Sequence, residues 1–464
     1  MNLERVITAL APSAVLGRAP AEISDLAYDT RAVRREALFF CIPGAKTDGH
    51  DLAPDALAQG AAALVVERAL ELDAPQLVVR STRAAMAPAA DAFFGQPTRE
   101  LAVAGITGTS GKTTTSFLLW SILDAAGREP GLIGSIERRV GAEVRRPSLN
   151  TPEAIDLQRL FREMIDAGNR SCVLEATSHA SAQGRLDRTR FAALVFTNLS
   201  QDHLDFHVTL ERYFEAKRRL FRPGVPAAVN VGNDHGRRLA AELPDALTFG
   251  LSPRAEVGPG ALEGIDLRLR GRFNVENALA AIAGARLLQI DEDTVARGIE
   301  AVHGVPGRFE ALDEGQPFTV IVDYSHKPAA LENVLRTARG LARGRLICVF
   351  GCGGDRDRGK RPVMGRIAAQ LADLAIVTSD NPRSEDPEAI IDEILEGVSD
   401  RDEVEVEPDR RKALARAIEL ARAGDVVVIA GKGNEQGQEF HDRTVPFDDR
   451  EVARDVLRRL GAAA

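Results

Sequence analysis

Short, uninterrupted runs of apolar residues recur along the chain and alternate with longer stretches in which apolar residues follow helical spacing. Runs of this kind are typical of strands that are buried on both faces of a sheet. They predict strands at Leu38–Ile42, Ala62–Val66, Leu101–Ile106, Cys172–Leu174, Ala192–Phe196, Val320–Val322, Leu346–Phe350, Leu374–Val377 and Val426–Ala430. Helical patterns lie between them, among others at Thr113–Ala126, Leu210–Phe221, Ala329–Ala338 and Arg411–Ala423. This alternation predicts an α/β protein with parallel sheets.

Clusters of glycine and proline mark two candidate domain boundaries, at Gly95–Thr98 and at Gly304–Gly307. A length of 464 residues suggests three domains, at about 150 residues per domain. The predicted domains are therefore 1–96, 97–306 and 307–464. We expect the second boundary to act as a hinge, because a closing motion needs a few positions that absorb dihedral change.

The beginning of the chain is predicted to be an amphipathic helix and not a secretion signal, since Leu3, Val6, Ile7 and Leu10 follow helical spacing. No apolar run approaches the roughly 18 residues of a membrane span, so none is predicted. The net charge of −9 offers no long-range attraction to nucleic acid or to an anionic membrane. Four cysteines without a C-x-x-C pair indicate a reducing, cytoplasmic setting, and Cys348 and Cys352 are interpreted as buried thiols.

The most informative stretch is Gly105–Thr114, where a predicted strand runs through glycines into a predicted helix. Glycines at 105, 108 and 111 allow backbone N–H groups to converge on phosphate, and the helix N-terminus adds favourable potential. Lys112 would reach the terminal phosphates, and the Thr113 hydroxyl would ligate Mg²⁺. The glycine spacing is a variant of the usual phosphate loop. ATP or GTP binding is predicted, but the loop alone names no reaction.

Polar residues also follow two further predicted strands, at Glu175–His179 and at Asn198–Asp205. Ligands of open parallel sheets bind at the carboxyl ends of the strands, so both groups should face the phosphate loop. We expect Glu175 and His203 to hold a metal ion between the nucleotide and a second substrate.

These motifs and others further along resemble the Mur ligases, the ATP-dependent amide synthetases that build the peptide stem of peptidoglycan, a family that includes the folylpolyglutamate synthetases. The similar stretches are Gly105–Thr114, Glu175–His179, Asn198–His207, Lys217, Gly271–Asn277, Gly307–Glu310, Asp323–His326 and Phe350–Asp357. The N-terminal segment looks like the UDP-binding domain of the diaminopimelate-adding members, through Tyr28–Arg31, Leu38–Gly44 and Asp48–His50. The resemblance implies an N-terminal UDP-binding α/β domain, a central phosphate-loop ATPase domain with a mostly parallel sheet, and a C-terminal Rossmann-like α/β domain.

The resemblance also assigns roles to individual residues. The catalytic group is Lys112, Glu175, His203 and Lys217, with Lys217 N-carboxylated, and the metal ligands are Thr113, Glu175 and His203. ATP would be bound by Gly108, Thr109, Ser110, Gly111, Lys112, Thr113, Thr114, Asn277, Arg308, Asp323 and His326. The UDP-sugar dipeptide would be bound by Thr30, Ala45, Lys46, Thr47, Asn150, Thr151, Thr177, Gln183 and Arg185. Diaminopimelate would be bound by Arg356, Asp380, Asn381, Pro382, Arg383, Gly431 and Glu435.

The implied reaction joins meso-diaminopimelate to UDP-N-acetylmuramoyl-L-Ala-D-Glu through an acyl phosphate, with ATP and Mg²⁺ as cofactors and small molecules as the only partners. Diaminopimelate carries a second carboxylate, which the planar fork of Arg383 would bind, while Glu435 would hold the distal ammonium. Three alternatives stay open: ligation of L-lysine or another amino acid, a phosphate-loop ATPase or kinase of other purpose, and a catalytically silent homologue. The oligomeric state is also open, and a monomer is compatible with the sequence.

Overall fold

The computed structural model describes residues 2–44, 47–400 and 402–463. The first sheet has five strands in the order β1-β5-β4-β3-β2, and only β1 runs antiparallel to its neighbour. Its strands are β1 (Ala14–Leu16), β2 (Asp25–Ala27), β3 (Ala37–Phe40), β4 (Ala63–Val66) and β5 (Gln76–Val78). Its helices are α1 (Leu3–Leu10), α2 (Ala53–Ala58) and α3 (Thr82–Phe93). The predicted N-terminal helix is thus confirmed.

The second sheet has eight strands in the order β13-β12-β11-β6-β10-β7-β8-β9, parallel except for β8 and β9 at one edge. Its strands are β6 (Ala102–Thr107), β7 (Pro130–Ile133), β8 (Arg138–Val140), β9 (Glu143–Arg145), β10 (Ser171–Glu175), β11 (Phe191–Phe196), β12 (Ala227–Asn230) and β13 (Leu247–Phe249). Its helices are α4 (Lys112–Ala125), α5 (Ala154–Asp166), α6 (Ser178–Ala182), α7 (Leu204–His207), α8 (Leu210–Arg218), α9 (Asp234–Glu242), α10 (Arg272–Leu287) and α11 (Glu292–Glu300).

The third sheet has six strands in the order β14-β15-β19-β16-β17-β18, in which only β14 is antiparallel. Its strands are β14 (Glu310–Leu312), β15 (Thr319–Asp323), β16 (Leu346–Phe350), β17 (Leu374–Val377), β18 (Val404–Val406) and β19 (Val426–Ala430), and a separate hairpin is formed by β20 (Gly437–Glu439) and β21 (Thr444–Pro446). Its helices are α12 (Pro328–Arg339), α13 (Lys360–Leu371), α14 (Pro387–Leu395), α15 (Arg410–Leu420) and α16 (Asp449–Ala463). All nine strands predicted from apolar runs are present in the three sheets, within two residues at each end.

Helices cover both faces of the central sheet, which is why its strands are apolar without alternation. Successive residues of β6 point to opposite faces: Ala104 and Ile106 belong to the core under α4 and α10, whereas Val103 belongs to the core under α5. The phosphate loop, Glu175–His179 and Asn198–Asp205 follow the carboxyl ends of β6, β10 and β11, as predicted. Because these three strands are parallel, the three stretches meet at one edge of the sheet. The three-domain α/β fold is confirmed.

The segment 251–271 is irregular apart from one 3-10 turn at Pro259–Leu262. The four cysteines are free and buried, which confirms the prediction of buried thiols for Cys348 and Cys352. Burial raises the pKa of the Cys348 and Cys352 thiols to about 12, so neither is reactive near neutral pH. Within the described ranges, none of the helices has the length and apolarity to cross a membrane.

Candidate active site

The phosphate loop connects β6 to α4, and each of its three glycines has a separate structural reason. A Cβ on Gly105 would lie 2.7 Å from side-chain atoms of the neighbouring strand β11. Gly108 and Gly111 have φ values of +150° and +86°, which L side chains rarely adopt. A Cβ on Gly111 would also lie 2.3 Å from Asn277 Oδ1, so this glycine permits helix α10 to approach the loop.

Lys112 is folded back over its own loop. Its Nζ donates to the carbonyl oxygens of Gly108 and Thr109, at 3.0 and 3.1 Å. Burial lowers the pKa of Lys112 to about 8, and the positive charge of Lys327 contributes to the same shift. The Lys112 ammonium group is thus bound by backbone carbonyls, and among the described residues it has no carboxylate partner at hydrogen-bond distance.

Oxygen atoms of Thr113, Ser135 and Glu175 form a continuous row at the carboxyl edge of the sheet. Thr113 Oγ1 lies 2.9 Å from Ser135 Oγ, and Ser135 donates to Glu175 Oε1 from both its backbone N–H and its hydroxyl, at 2.9 and 3.1 Å. Glu175 is buried at the end of β10. Ser135 was not among the predicted site residues; its only sequence signal is its place directly after strand β7.

His203 and Asp202 lie on the loop after β11, where His203 has a φ of 52°. His203 Nε2 is 2.9 Å from Asp202 Oδ2, and the same oxygen accepts from Lys327 Nζ of the C-terminal domain at 2.5 Å. Burial by itself would raise the pKa of Asp202, but His203 and Lys327 outweigh it and hold the pKa below its usual range. The pair Asp202–Lys327 therefore joins the central and C-terminal domains beside the phosphate loop.

Lys217 is buried on α8, with 1 % of its surface exposed. Its Nζ donates to the Gly108 carbonyl at 2.8 Å and lies 4.6 Å from the centre of the Tyr213 ring. Burial lowers the pKa of Lys217 well below the ordinary value, and the charges of Lys112 and Lys327 lower it further. The helical pattern alone favours a solvated basic face here, and that interpretation is wrong for Lys217 because α8 packs this side chain under the phosphate loop.

A cavity of about 850 Å³ separates the phosphate loop from the C-terminal domain. The predicted nucleotide residues Asn277, Arg308, Asp323 and His326 all contribute to its lining. The Arg308 guanidinium carbon lies 4.2 Å from the centre of the Tyr324 ring, and within the described residues its buried Nη1 makes no hydrogen bond. A buried cationic nitrogen without a partner is suited to an anionic ligand.

Two other lining residues have their polar atoms occupied by nearby groups. The Asp323 carboxylate accepts from the Phe309 backbone N–H at 2.7 Å and from the Ser325 hydroxyl, and burial raises its pKa. His326 Nδ1 lies 2.8 Å from the Tyr324 carbonyl oxygen, and burial lowers the pKa of His326 to about 3. Asp323 thereby ties the predicted hinge region to β15, and His326 is a neutral imidazole at physiological pH.

Four of the residues predicted for the UDP-sugar dipeptide form one cluster beside Glu175. Thr151 Oγ1 donates to the Glu175 carbonyl at 2.7 Å and lies 2.9 Å from Thr177 Oγ1. Arg185 Nη1 donates to the Thr151 carbonyl at 3.1 Å, and its Nη2 donates to Gln183 Oε1 at 2.5 Å. The cluster is therefore attached to the same strand end as the row of oxygen atoms.

The other residues predicted for this substrate are more distant or outside the description. Asn150 lines the interdomain cavity. Thr30 begins a 3-10 turn in the N-terminal domain, and Thr47 is exposed after Gly44. Ala45 and Lys46 lie outside the described residues. Among the described residues, no hydrogen bond connects Asn150, Thr30 or Thr47 to the Thr151 cluster.

The predicted amino-acid pocket lies at the carboxyl ends of β17 and β19. Asn381 Nδ2 donates to Glu435 Oε2 at 2.8 Å. Lys432 is fully buried between them, and its Nζ donates to Asn381 Oδ1 at 2.7 Å and to Glu435 Oε2 at 3.1 Å. A Cβ on Gly431 would lie 2.4 Å from Asp380 Oδ2, which explains the glycine. Lys432 was missed as a site residue, although it lies in the sequence between the predicted residues Gly431 and Glu435.

Arg383 and Arg356 both lie close to Gly353, and Pro382 is on the same loop as Arg383. A Cβ on Gly353 would be 3.0 Å from Arg383 Nη1 and 3.9 Å from Arg356 Cγ. Tyr324 connects this pocket to the cavity, since its ring faces Arg308, and the negative charge of Glu435 adds to the burial that raises the pKa of its hydroxyl. Residues predicted to bind the nucleotide and residues predicted to bind the amino acid therefore lie on two sides of Tyr324.

Three domain descriptions match successive parts of the chain. "Mur ligase family, catalytic domain" matches residues 22–94, "Mur ligase middle domain" matches 106–285, and "Mur ligase, glutamate ligase domain" matches 307–433. The UDP-N-acetylmuramoyl-L-alanyl-D-glutamate--2,6-diaminopimelate ligase of Solibacter usitatus is 45 % identical, over 96 % of this chain and 95 % of the relative. The ligase of the same name from Bacillus cereus is 41 % identical, over 98 % of both chains.

Solved structures agree with these relationships. A structure of a UDP-N-acetylmuramoyl-L-alanyl-D-glutamate--2,6-diaminopimelate ligase has a TM-score of 0.68 and 30 % identity, covering 98 % of this chain and 99 % of that one. The MurF ligase of Thermotoga maritima in complex with ADP, at 19 % identity and a TM-score of 0.63, covers 95 % of this chain and 98 % of that one and shares the fold.

An α/β protein of three domains, with a phosphate loop facing a cleft between its second and third sheets, is the architecture of a nucleotide-dependent ligase of this kind. The chain belongs to the Mur ligase family, whose members are ATP-dependent ligases.

Proposed function

We propose that this chain joins meso-diaminopimelate to UDP-N-acetylmuramoyl-L-Ala-D-Glu at the expense of ATP, in the synthesis of the peptidoglycan precursor. The observation that carries the proposal is the interdomain cavity. On one side it has the phosphate loop and Glu175. On the other side it has Arg308, whose buried Nη1 makes no hydrogen bond among the described residues, and Tyr324 lies between the cavity and a pocket containing Arg383 and Glu435. The diaminopimelate-adding relatives support the choice of amino acid.

The donor set at the edge of the sheet fits Mg²⁺, which prefers hard oxygen ligands. Within residues 2–44, 47–400 and 402–463, no group of three or more His, Cys, Asp or Glu side chains is arranged to hold a metal. The hydroxyls of Thr113 and Ser135 and the Glu175 carboxylate would therefore hold the ion, with His203 as the fourth group that we propose. When bound, Mg²⁺ supplies positive charge that offsets the phosphate oxygens.

Each step of the proposed reaction uses groups of this chain mainly for placement and charge. The γ-phosphoryl group passes from ATP to a carboxylate oxygen of the dipeptide, so that the bond to ADP breaks and an acyl phosphate forms. Lys112 and Arg308 hold the phosphates during this transfer, because both are cations that face the cavity and form no ion pair with a carboxylate among the described residues. The free amine of diaminopimelate then attacks the acyl carbon, loses a proton and displaces phosphate.

The substrates are held on either side of the reacting groups. We propose that Thr30, Ala45, Lys46, Thr47 and the Thr151 cluster bind the UDP-sugar dipeptide, which places its carboxylate next to Glu175. Asn277, Asp323 and His326 complete the nucleotide site. Arg356, Asp380, Asn381, Pro382, Arg383, Gly431 and Glu435 bind diaminopimelate.

Lys217 is proposed to carry an N-carboxyl group. Only the neutral form of a lysine attacks CO₂: its nitrogen forms a bond to the carbon, one proton leaves, and a carbamate anion results. Burial next to two other lysines lowers the pKa of Lys217 and so favours this neutral form. A carbamate would also place an anion among the cations of this cluster, whose charges lower the pKa of Lys217.

The proposed setting is the cytoplasm, which the free buried cysteines and the use of ATP support. The proposed domain boundaries are those predicted above, after residues 96 and 306. They fall between the three sheets, whose strands extend over residues 14–78, 102–249 and 310–430.

The decisive experiment measures phosphate release by the purified protein with ATP, Mg²⁺ and UDP-N-acetylmuramoyl-L-Ala-D-Glu, with meso-diaminopimelate or L-lysine as the amine. We expect release, together with a tripeptide product, only with diaminopimelate. Release with lysine alone would reject the role of Arg383 in choosing the amino acid. Release that needs neither the amino acid nor the UDP-dipeptide would reject the ligase function in favour of an ATPase.

A further inference from the structure

Arg383 is held at two points of its guanidinium group. Nε donates to Glu439 Oε2 at 2.7 Å, and Nη1 donates to the Gly354 carbonyl oxygen at 2.8 Å. The side chain is 24 % exposed. Among the described residues, Nη2 has no hydrogen-bond partner. Nη2 and the second N–H of Nη1 are therefore available to a ligand, while Nε and one N–H of Nη1 are occupied.

Glu439 is itself fixed to the amino-acid pocket through its backbone. Its N–H donates to Asn381 Oδ1 at 3.0 Å, and its carbonyl oxygen accepts from the Arg383 N–H at 3.0 Å. It is the last residue of β20, in the hairpin formed by β20 and β21. Asn381 and the Arg383 backbone therefore fix the position of Glu439, and its carboxylate approaches the Arg383 guanidinium from this position.

We propose that Glu439 is a positioning residue that determines specificity for the second carboxylate of the amino acid. It holds Arg383 by Nε, and the Gly354 carbonyl holds Nη1, so that the guanidinium keeps one orientation with Nη2 open. Preorganised donors bind a carboxylate better than a mobile side chain does. This inference rests on the proposed function, because it assumes that Arg383 binds the amino-acid substrate.

The negative charge of Glu439 has the opposite effect from its hydrogen bond. A carboxylate next to Arg383 repels the substrate carboxylate, whereas the hydrogen bond to Nε orients the fork that binds it. Two substitutions separate these effects. Glu439→Gln keeps an oxygen acceptor for Nε and removes the charge, and Glu439→Ala removes both.

The test compares KM for meso-diaminopimelate in the full-length wild type and the two variants. In Glu439→Ala we expect KM to rise about tenfold or more, the loss expected for a hydrogen bond to a charged group. Both kcat and KM for ATP should stay near wild type, and thermal melting reports whether the fold is intact. Glu439→Gln should restore KM to within about threefold of wild type, since the acceptor is retained.

Asp442→Ala provides a matched control. Asp442 forms an exposed ion pair with Arg443 at 3.3 Å in the turn of the same hairpin and has no hydrogen bond to Arg383. This variant should leave KM for diaminopimelate unchanged. An equal rise in KM in the control would show that the hairpin, and not Glu439, is responsible and would overturn the proposal.

Two further results would overturn it: an unchanged KM in Glu439→Ala, or a Glu439→Gln variant that is as impaired as Glu439→Ala. Arg383→Ala, measured in parallel, separates this inference from the proposed function. If Arg383→Ala loses diaminopimelate binding and Glu439→Ala does not, only the role of Glu439 fails. If the wild type releases no phosphate with diaminopimelate, the proposed function fails first.

Discussion

Replacing Gly111 by alanine tests the geometry of the phosphate loop most directly. The substitution has two separate costs. An L residue at a φ of +86° costs roughly 1–2 kcal/mol in backbone energy. In addition, the new Cβ would lie 2.3 Å from Asn277 Oδ1, where ordinary contacts begin near 3.4 Å, so the Asn277 side chain, the loop or helix α10 must move by about 1 Å.

A displacement of about 1 Å at a positioning group costs on the order of 100-fold in rate. We therefore expect kcat/KM for ATP to fall at least about 100-fold in Gly111→Ala. Steady-state phosphate release with varied ATP measures this change, and urea unfolding measures the loss of stability.

Gly127→Ala is the matched control for the backbone cost. Gly127 follows the same helix α4 with a φ of +64°, and a Cβ there would meet nothing within 4 Å. This variant should lose roughly 1 kcal/mol of stability and keep wild-type kcat/KM for ATP. If Gly111→Ala keeps wild-type kinetics, or if both variants lose activity equally, the close approach of Asn277 does not matter and the reasoning is refuted.

Three other substitutions test charged groups. In the wild type, Arg410 and Asp449 form a buried ion pair at 2.7 Å. Arg410→Met leaves Asp449 buried without its partner, so the free energy of unfolding in urea should fall by about 3–5 kcal/mol. A loss below about 1 kcal/mol would contradict this. The hydrogen bond from Arg361 lowers the pKa of Glu385 to about 2, so this pair stabilises the fold above pH 4.5, and the stability is lost as the pH falls toward 2. Glu385→Gln should therefore be less stable than wild type at pH 7 and should flatten the acid limb of a melting profile, and an unchanged limb would reject the pairing. Lys327→Met removes the ion pair between two domains, so KM for ATP should rise at least about tenfold, and an unchanged KM would exclude this pair from domain closure.

The central strands and the phosphate loop were predictable because their signals are local. A strand such as Leu346–Phe350 is buried on both faces, and its apolar run has the same limits in the sequence and in the structure. Short edge strands were not predicted. Strands β8 and β9 have three residues each and are partly exposed, so no apolar run marks them. Their pairing depends on the neighbouring strand.

The candidate site was predictable where residues occur in motifs and not where single residues meet in space. The motifs placed Glu175 and Thr113 at one edge of the sheet. Ser135, which bridges these two, stands in no motif, and its role is evident only from its hydrogen bonds to Glu175. The ion pair between Asp202 and Lys327 is equally hidden, since these residues are 125 positions apart.

By itself, the sequence determined the three α/β domains, the variant phosphate loop and the resemblance to the Mur ligases, since apolar runs, glycine spacing and ordered motifs are properties of neighbouring residues. Only the tertiary structure decided which charged side chains are buried. Lys217 looks like its solvated neighbours on α8, yet it lies under a loop 109 positions earlier in the chain, where burial lowers its pKa. Glu439 likewise meets Arg383 only through the packing of a hairpin. Desolvation and charge pairing depend on contacts between distant parts of the chain, and periodicity carries no information about them.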